Sequence, residues 1–135
     1  MENINSIIYN AAIYLRLSRE DGDVAEGSKL VSNSISNQKA LITDFLKSHT
    51  EIKVHSVYAD DGYSGVNFDR PDFQRMLEDI RKGTINCVIV KDLSRFGRNY
   101  LEAGNYIEKI FPFLGVRFIA VADGYDTGED GSNTH

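Results

Sequence analysis

At 135 residues, 41% apolar and 26% charged, the chain has the make-up of one globular domain, able to bury about two-thirds of the surface it exposes unfolded. No apolar run nears the ~20 residues that cross a bilayer, and the acidic start lacks a signal-peptide pattern, so neither a spanning helix nor a secretory leader is expected. A formal net charge of −5 argues against a basic coat for nucleic acid, yet the stretch from Asp123 holds Asp123, Asp126, Glu129 and Asp130 and no Lys or Arg.

Apolar runs alternate with amphipathic segments, the pattern of an α/β domain with a largely parallel sheet. The first strand is expected over Ile7 to Leu17. A long polar loop, Arg19 to Asn33, follows; loops of that length are functional or mobile. Ser34 or Ser36 can cap a helix whose inner face carries Ile35, Ile42, Phe45 and Leu46. Ile52 to Ala59 reads as the second strand. After DDGYSGVNFDR, Pro71 opens the clearest helix: Phe73, Met76, Leu77 and Ile80 recur with helical spacing, and Gly83 stops it. Ile85 to Val90 is the third strand, with Cys87 inside it as core. As the single cysteine it leaves no internal disulfide, so a reducing cytoplasm is the default. A helix is expected from Tyr100 to Leu114, with Pro112 disturbing its last turn. Val116 to Ala122 gives a fourth strand, and the acidic, Gly-rich end is expected to be loose.

Three polar clusters stand at the carboxyl ends of strands, where open α/β sheets collect ligands. In YLRLS, alternation places Tyr14, Arg16 and Ser18 on one face and Ile13, Leu15 and Leu17 on the other. A central strand is covered on both faces, so Arg16 requires an anionic partner or a water-filled cleft; an edge strand with one wet face is the alternative. In DDGYSGVNFDRPDF, Gly62 and Gly65 let the loop bend sharply. Pro71 restricts Arg70 just before the helix, with Asp69 or Asp72 available to stabilise the helix start. In VKDLSRFGRN, a helical turn would put Arg95 and Arg98 on one face with Ser94 as N-cap candidate; solvated arginines are the alternative. If the third strand neighbours the first, one crevice holds Arg16, Arg70, Arg95 and Arg98 around Ser18. Guanidinium forks match phosphate oxygens, and a charge pair at 4 Å near a surface is worth ~4 kcal/mol before desolvation. Such a cage fits a phosphodiester and favours a serine alkoxide. Like charges in an empty crevice repel, so partial disorder of the cage is expected in the free chain.

Other chemistries fit worse. His49, His55 and His135 lack metal-ligand spacing, and no nucleotide-binding glycine motif is present. Asp60 and Asp61 could hold Mg²⁺, and Asp92 beside Lys91 has some likeness to a phospho-acceptor site. A receiver domain, however, carries its acidic pair after the first strand.

Together the clusters resemble the catalytic domain of the serine recombinases, the resolvase/invertase and large serine integrase family, from about Ala11 to Asp126. The resemblance implies a three-layer αβα, resolvase-like fold with a mostly parallel central sheet of four to five strands. It implies a site-specific DNA recombinase using no cofactor and no metal, with Ser18 as nucleophile and Arg16, Arg70, Arg95 and Arg98 as catalytic arginines. Tyr14, Gln38, Asp61 (or Asp60), Ser94 and Lys91 are supporting. Small resolvases carry aspartate where Ser94 stands; Ser94, the long first loop and the Asn-Gln at the helix start are closer to the large recombinases and transposases of mobile elements. Implied partners are double-stranded DNA and further copies forming a dimer and synaptic tetramer in the full-length protein, in a cytoplasmic, nucleoid-associated setting in bacteria, without membrane. Residues 1–126 are then the catalytic core and 127–135 a flexible acidic tail of a longer protein, monomeric and nearly inactive as an isolated piece. The alternatives are a phosphatase or transferase acting on a small phosphoester, and a scaffold domain that kept the fold and lost the chemistry.

Overall fold

The structure is a computed structural model and describes residues 8–17, 35–61, 68–97 and 99–128. Five strands form one sheet in the order β2-β1-β3-β4-β5: β1 Tyr9–Leu17, β2 Ile52–Asp61, β3 Cys87–Val90, β4 Arg117–Ala120 and β5 Tyr125–Asp126. The first four are parallel; β5 runs antiparallel to β4. β1 is therefore central, and the edge-strand alternative for YLRLS is excluded. Its neighbours are β2 on one side and β3 on the other, the change of direction that opens a crevice at strand carboxyl ends.

Alternation along the strands separates two cores. Ala11, Ile13, Leu15, Cys87, Ile89 and Ile119 pack with Ile42 of α1, Ile35–Leu46. Ala12, Tyr14, Val88, Val90 and Phe118 face the other way, onto Phe73, Met76, Leu77 and Ile80 of α2, Pro71–Arg81. That second core also takes Phe96, Ala103, Ile107 and Phe111, so helices cover both faces. Among the described residues, no helix is long and apolar enough to cross a membrane.

Several boundaries depart from expectation. β2 continues two residues further, to Asp61. The helix expected over 100–114 is in three parts: α4 Tyr100–Asn105, a π turn Tyr106–Ile110, and α5 Phe111–Phe113. The Phe111 N–H reaches back five residues to the Tyr106 carbonyl, and Pro112, which has no N–H to give, follows that widened turn. Asp123 and Asp126 are tied to the rest of the domain, while residues 129–135 lie outside the described residues. The Arg117 guanidinium grips the Asp126 carboxylate with two hydrogen bonds, 2.9 and 2.6 Å, and also reaches Glu51 at 3.2 Å. Asp123 accepts from the Leu93 N–H at 2.7 Å.

Candidate active site

The site begins with α3, Leu93–Phe96, the single turn that follows β3. Asp92, not Ser94, is its N-cap: the Asp92 carboxylate accepts from the Arg95 N–H at 2.9 Å and from the Ser94 hydroxyl at 2.8 Å. The turn ends at Phe96, with Gly97 extended. The three-apart argument therefore does not reach Arg98, which lies outside the described residues, as does Ser18.

In so short a helix the Leu93 carbonyl takes the Gly97 N–H, and the carbonyls after it have no following helical turn to supply donors. Three successive ones accept from guanidinium groups. Arg16 donates from NH2 to Ser94 O (2.6 Å) and from Nε to Arg95 O (3.1 Å), and Arg70 NH1 donates to Phe96 O (2.7 Å). Arg95 returns the contact, donating from NH1 to the Arg16 carbonyl at 3.1 Å, where Gln38 Nε2 of α1 also donates at 3.1 Å. Arg16, Arg70, Gln38 and Arg95 are all buried. Within the described residues, carbonyl dipoles at an open helix end meet part of the Arg16 charge. Each of these three arginines is hydrogen-bonded, and the four-arginine arrangement around Ser18 extends beyond the described residues.

Arg70 stands at the start of α2 in extended conformation, with its guanidinium 4.4 Å from the centre of the Phe68 ring and 3.4 Å from the Tyr14 hydroxyl. Tyr14 donates to Asp60 at 2.7 Å. Burial pushes the Tyr14 phenol well above its ordinary value, and the Asp60 carboxylate adds to that rise against the opposing charge of Arg70. Asp60 also accepts from the Asp72 and Phe73 N–H groups, both at 3.0 Å, so it caps α2 from the end of β2. Asp72 lies in the first turn of α2, as expected of an acid that stabilises the helix start, and its carboxylate also accepts from the Ala59 N–H at 2.9 Å and pairs with Arg75 at 3.2 Å.

The structure accordingly brings Tyr14, Arg16, Gln38, Asp60, Arg70 and Arg95 together. Asp61 is exposed at the end of β2, and of the acidic pair it is Asp60 that enters the cluster. The Ser94 side chain is exposed while its carbonyl holds Arg16. Lys91 is half-buried, its carbonyl accepting from the Ala122 N–H. Among the described residues no cluster of His, Cys, Asp or Glu is arranged to hold a metal ion. Sequence reasoning missed Asp92 as cap and Phe68 as the plate over Arg70. An Asp immediately before the turn was the available signal for the first, and an aromatic two residues before Arg70 for the second. A cleft of about 610 Å³ is lined by the same turn, at Asp92, Leu93, Ser94 and Gly97, with Ala103 and Ile107 beyond; the three arginines are not among its lining residues.

The sequence model of one family, described as the N-terminal domain of resolvase, matches residues 11–134. The chain belongs to the resolvase N-terminal domain family. Among curated relatives, a Bacillus subtilis (strain 168) protein named "Putative DNA recombinase" is 36% identical over 92 residues, covering 67% of this chain but only 16% of that protein. Among solved structures, the N-terminal catalytic domain of TP901-1 integrase is 26% identical with a TM-score of 0.74, covering 88% of this chain and 82% of that one. A resolvase family site-specific recombinase from Streptococcus pneumoniae is 30% identical with a TM-score of 0.69, covering 90% and 78%. The resolvase-like, serine recombinase catalytic fold is thereby established, and its arginine cluster stands where β1 and β3 end.

Proposed function

We propose that this resolvase-family chain is the catalytic core, residues 1–126 followed by an acidic tail, of a site-specific DNA recombinase. One observation carries the reading. Arginines from β1, the start of α2 and α3 converge at the carboxyl end of the strand that Ser18 directly follows. In this reading the Ser18 Oγ attacks the scissile phosphorus of double-stranded DNA. An Oγ–P bond forms, the P–O3′ bond breaks, and the released 3′ oxygen takes a proton to become a hydroxyl. The product is a 5′-phosphoserine ester, and the reverse attack by a 3′-hydroxyl religates the strand. One phosphoester replaces another, so religation needs no nucleotide.

The catalytic set is Ser18 with Arg16, Arg70, Arg95 and Arg98, whose positive field favours the alkoxide and the charge that builds on the phosphorane oxygens. Tyr14, Asp60 and Gln38 hold the arginines and the strand; Asp61, Ser94 and Lys91 complete the rim. Exchange between two duplexes requires four nucleophiles, hence a dimer and a synaptic tetramer of the full-length protein, with the isolated piece monomeric. Working on DNA places the protein in the cytoplasm, at the nucleoid.

The test uses the full-length parent and its element-end DNA, nicked near the crossover so that religation fails. The denatured reaction is searched for protein joined to a 5′ end. An adduct mapping to Ser18 and absent from Ser18→Ala is expected. An adduct persisting in Ser18→Ala moves the nucleophile elsewhere. Site-specific binding without any adduct refutes the recombinase reading in favour of a scaffold, and turnover of a small phosphoester by the chain favours a transferase.

A further inference from the structure

Phe68 sits where the segment before α2 meets the turn after β3. The backbone of Arg70 is extended, φ −131° and ψ 128°, the conformation to which a residue before proline is biased. Along extended chain, side chains two apart share a side, so Phe68 and Arg70 both turn inward while Asp69 between them is exposed. The Arg70 guanidinium carbon lies 4.4 Å from the centre of the Phe68 ring, closer than to Phe73 (5.8 Å) or Tyr14 (5.9 Å). The far edge of that ring abuts Gly97, where an added Cβ would lie 2.4 Å from Phe68 Cζ. The carbonyl just before Gly97, that of Phe96, accepts from Arg70 NH1 at 2.7 Å. One ring therefore meets both the guanidinium and the peptide that takes its N–H. The ring is itself held: it is buried against Phe73, Phe96 and Tyr106, and the Phe68 carbonyl accepts from Gln74 Nε2 at 2.8 Å.

We propose that Phe68 is a positioning residue for Arg70: its electron-rich ring face carries the guanidinium, offsets part of the buried charge, and finds its room because residue 97 has no side chain. The inference rests on the recombinase reading, in which Arg70 belongs to the catalytic set. A carboxylate beside Arg70 would also steady the cation, but it would take N–H donors and compete with a phosphate for them. A ring face attracts the charge through its quadrupole and takes no N–H. Arg70 is thereby oriented before any phosphate arrives, and donors fixed in advance are worth most when charge builds on the reacting group.

The test uses the full-length parent and the nicked duplex of the adduct assay. Cζ, Cε1 and Cε2 are the Phe68 atoms that crowd Gly97, so fluorine is introduced at Cδ1 and then at both Cδ carbons. Fluorine withdraws electrons from the ring face while nearly preserving the ring's shape. Adduct formation at saturating duplex is expected to slow step by step through this series. Phe68→Leu, which has no ring face, should be slower than wild type by about two- to thirtyfold, the range of one cation–π contact. A ring that served only to fill the core would give no such gradient. Fluorinated proteins as fast as wild type overturn the proposal.

Because Phe68→Leu can also loosen the core, a second measurement uses the free wild-type chain. NMR should find a nuclear Overhauser contact between the Phe68 ring protons and the Arg70 Nε–H. Its absence overturns the proposal whatever the rates. If the wild-type parent forms no adduct at all, the recombinase reading falls instead, and the Overhauser contact still decides whether Phe68 holds Arg70.

Discussion

Gly97 is where the second and third clusters press on each other. A Cβ there would lie 2.4 Å from Phe68 Cζ and 2.9 Å from Cε1, about 1 Å inside ordinary carbon contact. The backbone at Gly97 is extended, so the objection to a side chain is purely steric. Phe68 cannot easily retreat: it is 2% exposed, with Phe73, Phe96 and Tyr106 at centroid distances of 4.9, 5.1 and 5.0 Å. Gly97→Ala is therefore expected to cost about 1–3 kcal/mol, the range for overpacking a filled core, or a Tm lower by about 4–12 °C. Urea unfolding of wild type, Gly97→Ala, Phe68→Leu and the double variant measures the coupling. The double variant should be less destabilised than the two single costs added, since a smaller side chain at 68 makes room for the methyl group. A Gly97→Ala chain within about 0.5 kcal/mol of wild type, or a penalty unchanged in the Phe68→Leu background, would refute the reasoning.

Arg117→Met removes the cation that grips Asp126, whose side chain is 8% exposed, and should cost about 3–5 kcal/mol. Hydrogen exchange should then rise at Ala120 and Asp126, and Arg117→Met/Asp126→Leu should recover most of the loss. Burial pushes the Cys87 thiol up to about 12 against the lowering influence of Arg117, so the native chain should not react with a disulfide reagent at pH 8 and should react once urea unfolds it. For Asp72, burial raises the pKa, but the Ala59 N–H and the Arg75 guanidinium outweigh it and hold the carboxyl below its ordinary value. A depressed carboxylate contributes stability above its unfolded pKa of about 4 and loses it as pH falls through the folded one. The stability gap between wild type and Asp72→Asn should thus be full at pH 7 and close below about pH 4; a gap that widens on acidification contradicts the assignment.

The parts that sequence made legible are those with a local period. Phe73, Met76, Leu77 and Ile80 announce α2, and alternation around Ile13 and Tyr14 announces a strand but leaves open whether both its faces are covered. The convergence of Arg16, Arg70 and Arg95 could be anticipated because parallel strands deliver their carboxyl ends to one side. What could not be anticipated was the partner of each charge. Nothing local to Arg16 announces that two of its acceptors are carbonyls of a four-residue helix 78 and 79 positions away. The ties of Asp126 to Arg117 and of Arg117 to Glu51 likewise leave no periodic trace, since a two-residue strand has no pattern to read.

The two margins of the sheet are finished differently. β4 is closed off by the short antiparallel β5, a common way of denying an edge to a stray strand. On the other side β2 is ten residues long, shows β1 as its only pairing among the described residues, and exposes Val54 and Val57 at 45% and 37%. Concentrated solutions of this chain should therefore begin to aggregate along β2, by edge-to-edge strand addition. A lysine at Val54 or Val57 would be the economical remedy, raising solubility while leaving the arginine cluster untouched.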